Sequence, residues 1–322
     1  MPDTTDPAAF PIINRAYNAA FKPGRLSFGL IAPIEAYGVE EEPVLERHME
    51  RAQLAEALGF AAIWLRDIPF SVPTFGDVGQ MLDPFVYLGA LATQTQRIGL
   101  GVASVILPLR HPAHVAKAAA SVEVLSGGRM LLGVASGDRP EEYPALNMDY
   151  DSRGARFRES MAYMRAATGS FPQHENSHGT LNGRLDMLPK PLGGRIPMLI
   201  TGGSQQPAEW GAEHGDGWMT YPRNAAMQGK IIGDYRAHVR QAGGPDKPVM
   251  QSLYVDVLEK PDAVPRPIHL GFSSGTAFLL KYLKEIEALG VNHVALNLRF
   301  NNAEVETTLQ RIADDLMPAF QD

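Results

Sequence analysis

Eight short apolar runs alternate with helical segments along this chain, and that order predicts an α/β fold, the (β/α)8 TIM barrel with insertions at its C-terminal face. The plainest unit is residues 97–137, which hold an apolar run, a helical segment and a second apolar run. Both runs are hydrophobic on two faces, as in strands of a parallel sheet that helices cover. The length of 322 residues suits such a barrel, while a doubly wound open sheet is the alternative.

The predicted elements follow one another in a regular order. Residues 1–25 are expected to form an irregular N-terminal leader with a short helix at 13–21, and residues 26–322 a single domain. The strands are expected at 26–33, 61–66, 98–107, 130–135, 198–203, 217–221, 249–258 and 293–298. The helices are expected at 44–59, 84–95, 112–125, 152–168, 207–214, 226–241, 276–289 and 305–320.

Capping and breaking residues set the helix ends. Asp83 and Pro84 begin one predicted helix, and Pro112 begins the next. Gly59 and Gly290 end two others. A long loop at 66–84 and two excursions rich in Gly and Pro, at 169–197 and 259–275, are longer than simple connections need.

Composition and charge limit the kinds of partner. Hydrophobic residues make up 45% of the chain and charged residues 20%, as in a globular protein with an ample core. The net charge of −7, without basic runs, argues against nucleic acid and against an anionic membrane. No apolar run reaches the roughly 18 residues of a membrane span, and the start of the chain lacks a secretory signal. We therefore expect a cytoplasmic protein, and the absence of cysteine excludes disulfides and thiolate chemistry.

In a (β/α)8 barrel the functional site lies where the strands end at their C-termini. That rule selects Ala32, Pro33, Arg66, Asp67, Ala103, Ser104, Ser136, Gly137, Asp138, Gly202, Gly203, Ser204, Tyr221 and the segment 271–275. The strongest physical signal is TGGSQQPAEW at 201–210, between a strand and a helix. Its backbone amides and the positive end of the helix would suit a phosphate monoester. A tight turn in which Ser204 caps the helix explains the same residues equally well.

The order and spacing of several segments resemble the bacterial-luciferase-like flavin monooxygenases. These segments are LGVASVILPLRHP at 100–112, LSGGRMLLGVASG at 125–137, SRGARF at 152–157 and TGGSQQPAEW. PIEAYG at 33–38, WLRDIPF at 64–70 and DPFVYLG at 83–89 resemble a subgroup, the luciferase-type oxidoreductases. The resemblance implies a TIM barrel, commonly a homodimer, that uses reduced FMN or the deazaflavin F420, with FMN in this subgroup.

The resemblance also implies which residues hold the cofactor. The Ala103–Ser104 bond matches the family's non-prolyl cis peptide, which supports one face of the flavin ring. Without the family, both would be small residues tolerated in a crowded barrel. Gly203, Ser204 and Gln205 match residues that bind the flavin phosphate through backbone amides and a hydroxyl.

Further positions follow from the same comparison. Arg153 matches a basic residue near the phosphate, with a surface arginine at a helix start as the alternative. Ser136 stands where relatives can place a phosphate-binding arginine, and Arg139 is a candidate to compensate. Tyr221 and Trp218 on the sixth predicted strand are expected to line the flavin pocket, with ordinary aromatic residues of an apolar strand as the alternative. The implied cofactor-binding set is Ala103, Ser104, Ser136, Arg153, Gly202, Gly203, Ser204, Gln205 and Tyr221.

The sequence departs from the family where acid–base chemistry is expected. Luciferase ends its second strand with a histidine, and this chain has Arg66 and Asp67 there. These two are the catalytic candidates, although an Arg66–Asp67 ion pair that orders the loop is the favoured alternative. His111 is expected to cap or pack a helix. The remaining histidines of the excursions are His174, His178 and His269, and no metal site is expected.

These expectations combine into one functional hypothesis. The chain is expected to be an FMN-dependent monooxygenase that uses reduced FMN and O2 on a small organic substrate. No nicotinamide fingerprint is present, and the resemblance implies that reduced flavin comes from a separate flavin reductase. The alternatives are an F420-dependent dehydrogenase or reductase on the same barrel, and a non-catalytic flavin-binding protein.

Overall fold

A closed barrel of eight parallel strands forms the body of the chain, in a computed structural model that describes residues 9–38, 41–75 and 81–321. The barrel strands are β1 Ser27–Ile31, β2 Ala62–Leu65, β3 Gly99–Ile106, β4 Met130–Ala135, β5 Met198–Thr201, β6 Gly217–Thr220, β7 Val249–Val257 and β8 His293–Asn297. Each strand pairs in parallel with the next, and β8 pairs with β1 to close the ring. The predicted TIM barrel is confirmed, and the open sheet is excluded.

Helices connect and surround the strands. They are α1 Arg15–Ala20, α2 His48–Ala57, α3 Pro84–Gln94, α4 Pro112–Leu125, α5 Glu142–Ala145, α6 Arg153–Ala167, α7 Ala208–His214, α8 Ala225–Gln241, α9 Thr276–Ala288 and α10 Val305–Asp315. The prediction for α2 began too early, because Leu45 and Arg47 adopt left-handed backbone angles that a helix cannot contain. The last helix was predicted too long, since Pro318 has no amide and a 3₁₀ turn at Met317–Phe320 replaces the α-helix.

The N-terminal segment closes the bottom of the barrel. The side chain of Asn14 caps α1 by accepting from the Tyr17 amide (2.9 Å) and donates to the Met130 carbonyl (2.8 Å) at the start of β4. The buried cluster at this end includes Ile13, Ala16, Tyr17, Phe21, Trp64, Leu131, Leu199, Met250 and Ala295. This segment packs across one end of the barrel, and residues 1–8 of the predicted leader lie outside the described residues.

The two excursions differ in what they contribute. The first forms an antiparallel hairpin of Gln173–Asn176 and Gly179–Asn182 that packs against α6. The second adds the strands Arg266–Ile268 and Gly271–Ser274, and the latter extends the sheet beside β7. In the predicted loop at 66–84, residues 76–80 lie outside the described part. None of the helices that the structure describes has the length and apolar character of a membrane span.

Candidate functional site

A cavity of about 890 Å³ opens at the C-terminal ends of the strands, and all eight barrel strands or the residues directly after them contribute to its wall. The position agrees with the rule for this fold. Of the predicted site residues, the wall contains Arg66, Asp67, Ala103, Ser104, Ser136, Gly202, Ser204, Gln205 and Tyr221. Gly203 and Arg153 are not part of the wall.

The turn after β5 combines an unusual backbone with unused amides. Gly202, Ser204 and Gln205 have φ values of 56°, 44° and 58°. Within the described chain, the amides of Gly203, Ser204 and Gln205 donate no hydrogen bond, whereas the Gln206 amide donates to the Gly203 carbonyl at 2.8 Å. Successive free amides in such a turn form a concave anion site.

The structure corrects two details of this turn. The Ser204 hydroxyl donates to the Thr201 carbonyl at 2.7 Å, so the alternative in which Ser204 caps the helix is wrong. α7 begins only at Ala208, after Pro207 at its N-cap position, so the turn does not open the helix directly. The chain needs the intervening residues to leave the left-handed backbone region and enter the helix.

Contacts from two other elements fix the turn. The Trp218 indole Nε1 donates to the Gly202 carbonyl at 3.0 Å. The Gln206 side chain donates to the Gly154 carbonyl at 2.8 Å and accepts from the Arg158 Nε at 3.0 Å, both in α6. A Cβ on Gly154 would lie 2.9 Å from the Gln205 Cβ, so only a glycine lets α6 approach this closely.

Two side chains near the turn differ from their expected placement. The Arg153 guanidinium lies over the Tyr150 ring at 3.7 Å and donates to the Tyr150 carbonyl at 2.9 Å, rather than facing the cavity. Its Nε is buried and has no hydrogen-bond partner among the described residues. Trp218 does not line the cavity either, because its ring stacks on Tyr235 outside the barrel, with centroids 5.2 Å apart. The phosphate role of Arg153 stays a prediction.

The kink in β3 forms the neighbouring wall. The Ala103–Ser104 peptide is cis, as the resemblance implied, and the register with β4 shifts between Val102 and Val105. The Ser104 hydroxyl hydrogen-bonds the Thr201 hydroxyl, which links β3 to β5. Small side chains and polar groups thus border the cavity on this side.

An ion pair fixes the end of β2, but its partners differ from the expected ones. Asp67, 7% exposed, accepts from Arg110 Nε at 3.0 Å and Nη2 at 2.6 Å. It also accepts from the Ile106 amide at 3.2 Å. The expected Arg66–Asp67 pair is therefore corrected to Asp67–Arg110, because the bidentate guanidinium and the amide occupy both carboxylate oxygens. Arg66 donates to the Tyr37 hydroxyl at 3.1 Å.

The end of β4 carries a second charged group. Arg139 lines the cavity, lies over the Phe75 ring at 4.6 Å and is 3.7 Å from the buried Glu142 carboxylate. Burial raises the pKa of Glu142 to about 7, Arg139 opposes the rise, and Asp67 adds to it. Ser136 is buried here, and its carbonyl accepts from the Tyr143 hydroxyl.

The wall formed by β7 and β8 was not predicted. Ser252 and Tyr254 of β7 and Asn297 of β8 line the cavity, together with His269 of the second excursion. The strand-end rule applies to Asn297 as to the others, but a single amide at the end of an apolar run carries no motif. The histidines of the first excursion do not contribute to the wall, and the expected capping by His111 is confirmed by its contact with the Ala113 amide at 3.2 Å.

Fold and cavity together define a (β/α)8 barrel with an open site at the C-terminal ends of its strands. Residues 26–318 match the family described as luciferase-like monooxygenase, and the chain belongs to that family. An uncharacterized protein of Mycobacterium tuberculosis is 32% identical over 238 residues, which cover 68% of this chain and 82% of the relative.

Solved structures share the fold at low identity. An F420-dependent secondary alcohol dehydrogenase in complex with an F420–acetone adduct superimposes with a TM-score of 0.76 at 18% identity, covering 92% of this chain and 100% of that one. The oxygenating constituent of 3,6-diketocamphane monooxygenase from Pseudomonas putida, a type II Baeyer–Villiger monooxygenase in complex with FMN, gives a TM-score of 0.71 at 16% identity, covering 91% and 98%.

Proposed function

We propose that this chain is an FMN-dependent monooxygenase that uses reduced FMN and O2 on a small organic substrate. The observation that carries the proposal is the turn after β5, whose three unused amides adjoin a cavity of about 890 Å³. A phosphate monoester matches this donor set, because backbone N–H groups neutralise its charge without a cationic side chain. The family and the FMN complex of a structural neighbour agree with a flavin cofactor.

The residues of the chain would have the following roles in cofactor binding. Gly203, Ser204 and Gln205 would hold the cofactor phosphate, and Ala103 with Ser104 would border its ring. Bound reduced FMN supplies the electrons that activate O2. The protein itself orients the reactants and excludes water from the barrel mouth.

Acid–base roles follow from the charge arrangement. Asp67 is committed to Arg110, so it positions the ends of β2 and β3 rather than moving a proton. Arg66 lies in the wall and is the remaining candidate to contact the substrate. We propose that reduced flavin comes from a separate flavin reductase.

The alternative is an F420-dependent dehydrogenase or reductase. Its specific support is the match to an F420-dependent alcohol dehydrogenase over nearly the whole chain. Titration of the protein with FMN and with F420, followed by absorbance, separates the two. Tight FMN binding and O2 consumption with reduced FMN support the proposal, while binding of F420 alone contradicts it.

A further inference from the structure

A buried carboxyl group lies behind the cavity wall. Glu142 in α5 is 3% exposed, and its Oε1 has no hydrogen-bond partner among the described residues. An ionised carboxylate is costly to bury without donors, whereas the neutral acid tolerates such a place better. Burial accordingly raises the pKa of Glu142 to about 7, so the group changes its charge near neutral pH.

Arg139 connects this carboxyl group to the cavity. Its Nη1 is 3.7 Å from Glu142 Oε1, which is within ion-pair range but too long for a hydrogen bond. Arg139 itself lines the cavity, and its guanidinium lies over the Phe75 ring at 4.6 Å. Ionisation of Glu142 therefore adds one negative charge beside a cation of the cavity wall, whatever else Arg139 contacts.

The other charges around Glu142 act in the opposite direction to Arg139. Asp67, Asp138 and Glu141 are the carboxylates that act on Glu142, and each of them disfavours its ionisation. Asp67, at the end of β2, is held in the ion pair described above, so its charge is fixed. Arg139 is the cation that favours the ionised form. The charge of Glu142 and the placement of Arg139 therefore depend on each other.

The backbone between β4 and α5 is held beside the turn after β5. The Tyr143 hydroxyl donates to the Ser136 carbonyl, and a Cβ on Gly137 would lie 2.7 Å from that hydroxyl. Burial raises the pKa of Tyr143 above its ordinary value, so this anchor stays neutral. Because β4 pairs in parallel with β5, both strands end at the same part of the cavity. A change of charge at Glu142 therefore acts near the proposed phosphate site.

We propose that Glu142 is a positioning residue that acts through Arg139, and that its protonation controls the affinity of the cavity for an anionic ligand. When Glu142 is protonated, the guanidinium charge acts on the cavity. When Glu142 is ionised, the carboxylate attracts the guanidinium and cancels part of its charge. Anion binding and proton uptake by Glu142 are then linked, so each favours the other. This inference rests on the proposed function, since the anion considered is the phosphate of FMN.

Flavin fluorescence titrations at pH 5.5 and pH 8.5 test the proposal. The phosphate of FMN also gains charge over this range, so each variant is compared with wild type at the same pH. Glu142→Gln imitates the protonated acid, and at pH 5.5 its FMN dissociation constant should equal that of wild type. At pH 8.5 the wild-type protein should bind FMN about three- to fivefold more weakly than Glu142→Gln.

Glu141→Gln is the matched control, because it removes the same charge at the exposed neighbouring position. Its affinity relative to wild type should be the same at both pH values. In an Arg139→Gln background, adding Glu142→Gln should change the affinity by less than about twofold at pH 8.5. Riboflavin, which lacks the phosphate, should not distinguish wild type from Glu142→Gln. The proposal is overturned if Glu142→Gln differs from wild type equally at both pH values, if riboflavin behaves as FMN does, or if the effect persists without Arg139.

Carboxyl 13C NMR of protein labelled at glutamate separates this inference from the proposed function. The Glu142 signal is identified by its loss in Glu142→Gln, and its titration is followed with and without inorganic sulfate. If FMN does not bind the wild-type protein, the proposed function fails, and this titration alone decides the inference. Sulfate should then move the midpoint of Glu142 to higher pH in wild type but not in Arg139→Gln. An unchanged midpoint in wild type would overturn the inference.

Discussion

Trp218 Nε1 donates a 3.0 Å hydrogen bond to the carbonyl of Gly202, the first residue of the turn after β5. The indole lies outside the barrel on Tyr235, so it acts on the turn from behind rather than from the cavity. Gln206 fixes the other end of the turn to α6. The three unused amides are thus held in place before any ligand arrives, which lowers the ordering cost of binding.

Trp218→Phe tests this positioning role. The phenyl ring can still pack on Tyr235, but the donor to Gly202 is lost. We expect the FMN dissociation constant to rise about five- to tenfold, in line with about 1 kcal/mol for one hydrogen bond. Trp210→Phe is the control, because the Trp210 ring in α7 stacks on His214 at 4.4 Å and lies under the Arg158 guanidinium at 5.7 Å, and a phenyl ring can keep both contacts. Equal FMN affinities for wild type and Trp218→Phe, by fluorescence titration, would argue against the role.

Arg110 binds two carboxylates, those of Asp67 and Asp83. We expect the loss of the Asp67 charge to destabilise the protein more than the loss of the Asp83 charge. Asp67 is buried, while the Asp83 side chain, also bound to Arg110 at 2.9 Å, is 42% exposed. Asp67→Asn should lower the free energy of unfolding by about 2–3 kcal/mol, because Arg110 loses a buried charged partner. Asp83→Asn should cost at most about 1 kcal/mol, since solvent screens that pair and Asn still caps α3. Urea unfolding measures both, and similar losses would contradict the assignment.

The raised pKa of Glu142 predicts that the stability of the protein depends on pH. Burial raises its pKa from 4.5 to about 7, so the folded protein binds a proton more readily than the unfolded chain. The contribution of Glu142 to the free energy of unfolding is fully present below about pH 4.5 and is lost as the pH rises through about 7. In Glu142→Gln the decline of the urea midpoint between pH 5 and 7.5 should be smaller than in wild type. Glu141→Gln, at an exposed neighbour, should leave the decline unchanged.

The lowered pKa of His293 predicts that the stability of the protein falls as the pH decreases, which is the opposite of the dependence expected from Glu142. It is fully buried in the barrel, where Nε2 accepts from the Trp64 indole at 2.9 Å and Nδ1 lies 2.6 Å from the Ser27 hydroxyl. Burial lowers its pKa from 6.5 to about 3, so its contribution is present above 6.5 and is lost as the pH falls toward 3. His293→Gln should flatten the loss of stability between pH 6 and 4. An unchanged slope in circular-dichroism unfolding would show that another group dominates.

The sequence predicted the barrel well because each strand and helix carries local signals. β4 and α4 occur at the predicted residues, since Pro112 and Gly127 mark the helix ends in the chain itself. The start of α2 was missed, because the left-handed angles of Leu45 and Arg47 follow from no residue type that favours them.

The site was predicted only where the chain carries a motif. The turn after β5 and the cis peptide belong to recognisable segments. Arg110 was missed as the partner of Asp67 because 43 positions separate them and only the barrel brings them together. Asn297 and Ser252 were missed because single polar residues at the end of an apolar strand differ little from core residues until the cavity is seen.

The affinity of FMN for Gln205→Glu tests the central claim most directly. This isosteric change puts one negative charge in the wall beside the unused amides, and Gln241→Glu adds the same charge at the exposed end of α8. Flavin fluorescence titration should show a dissociation constant at least about tenfold higher for Gln205→Glu than for wild type, because like charges repel at short range. It should show little change for Gln241→Glu. Equal affinities for wild type and Gln205→Glu would contradict phosphate binding at this turn.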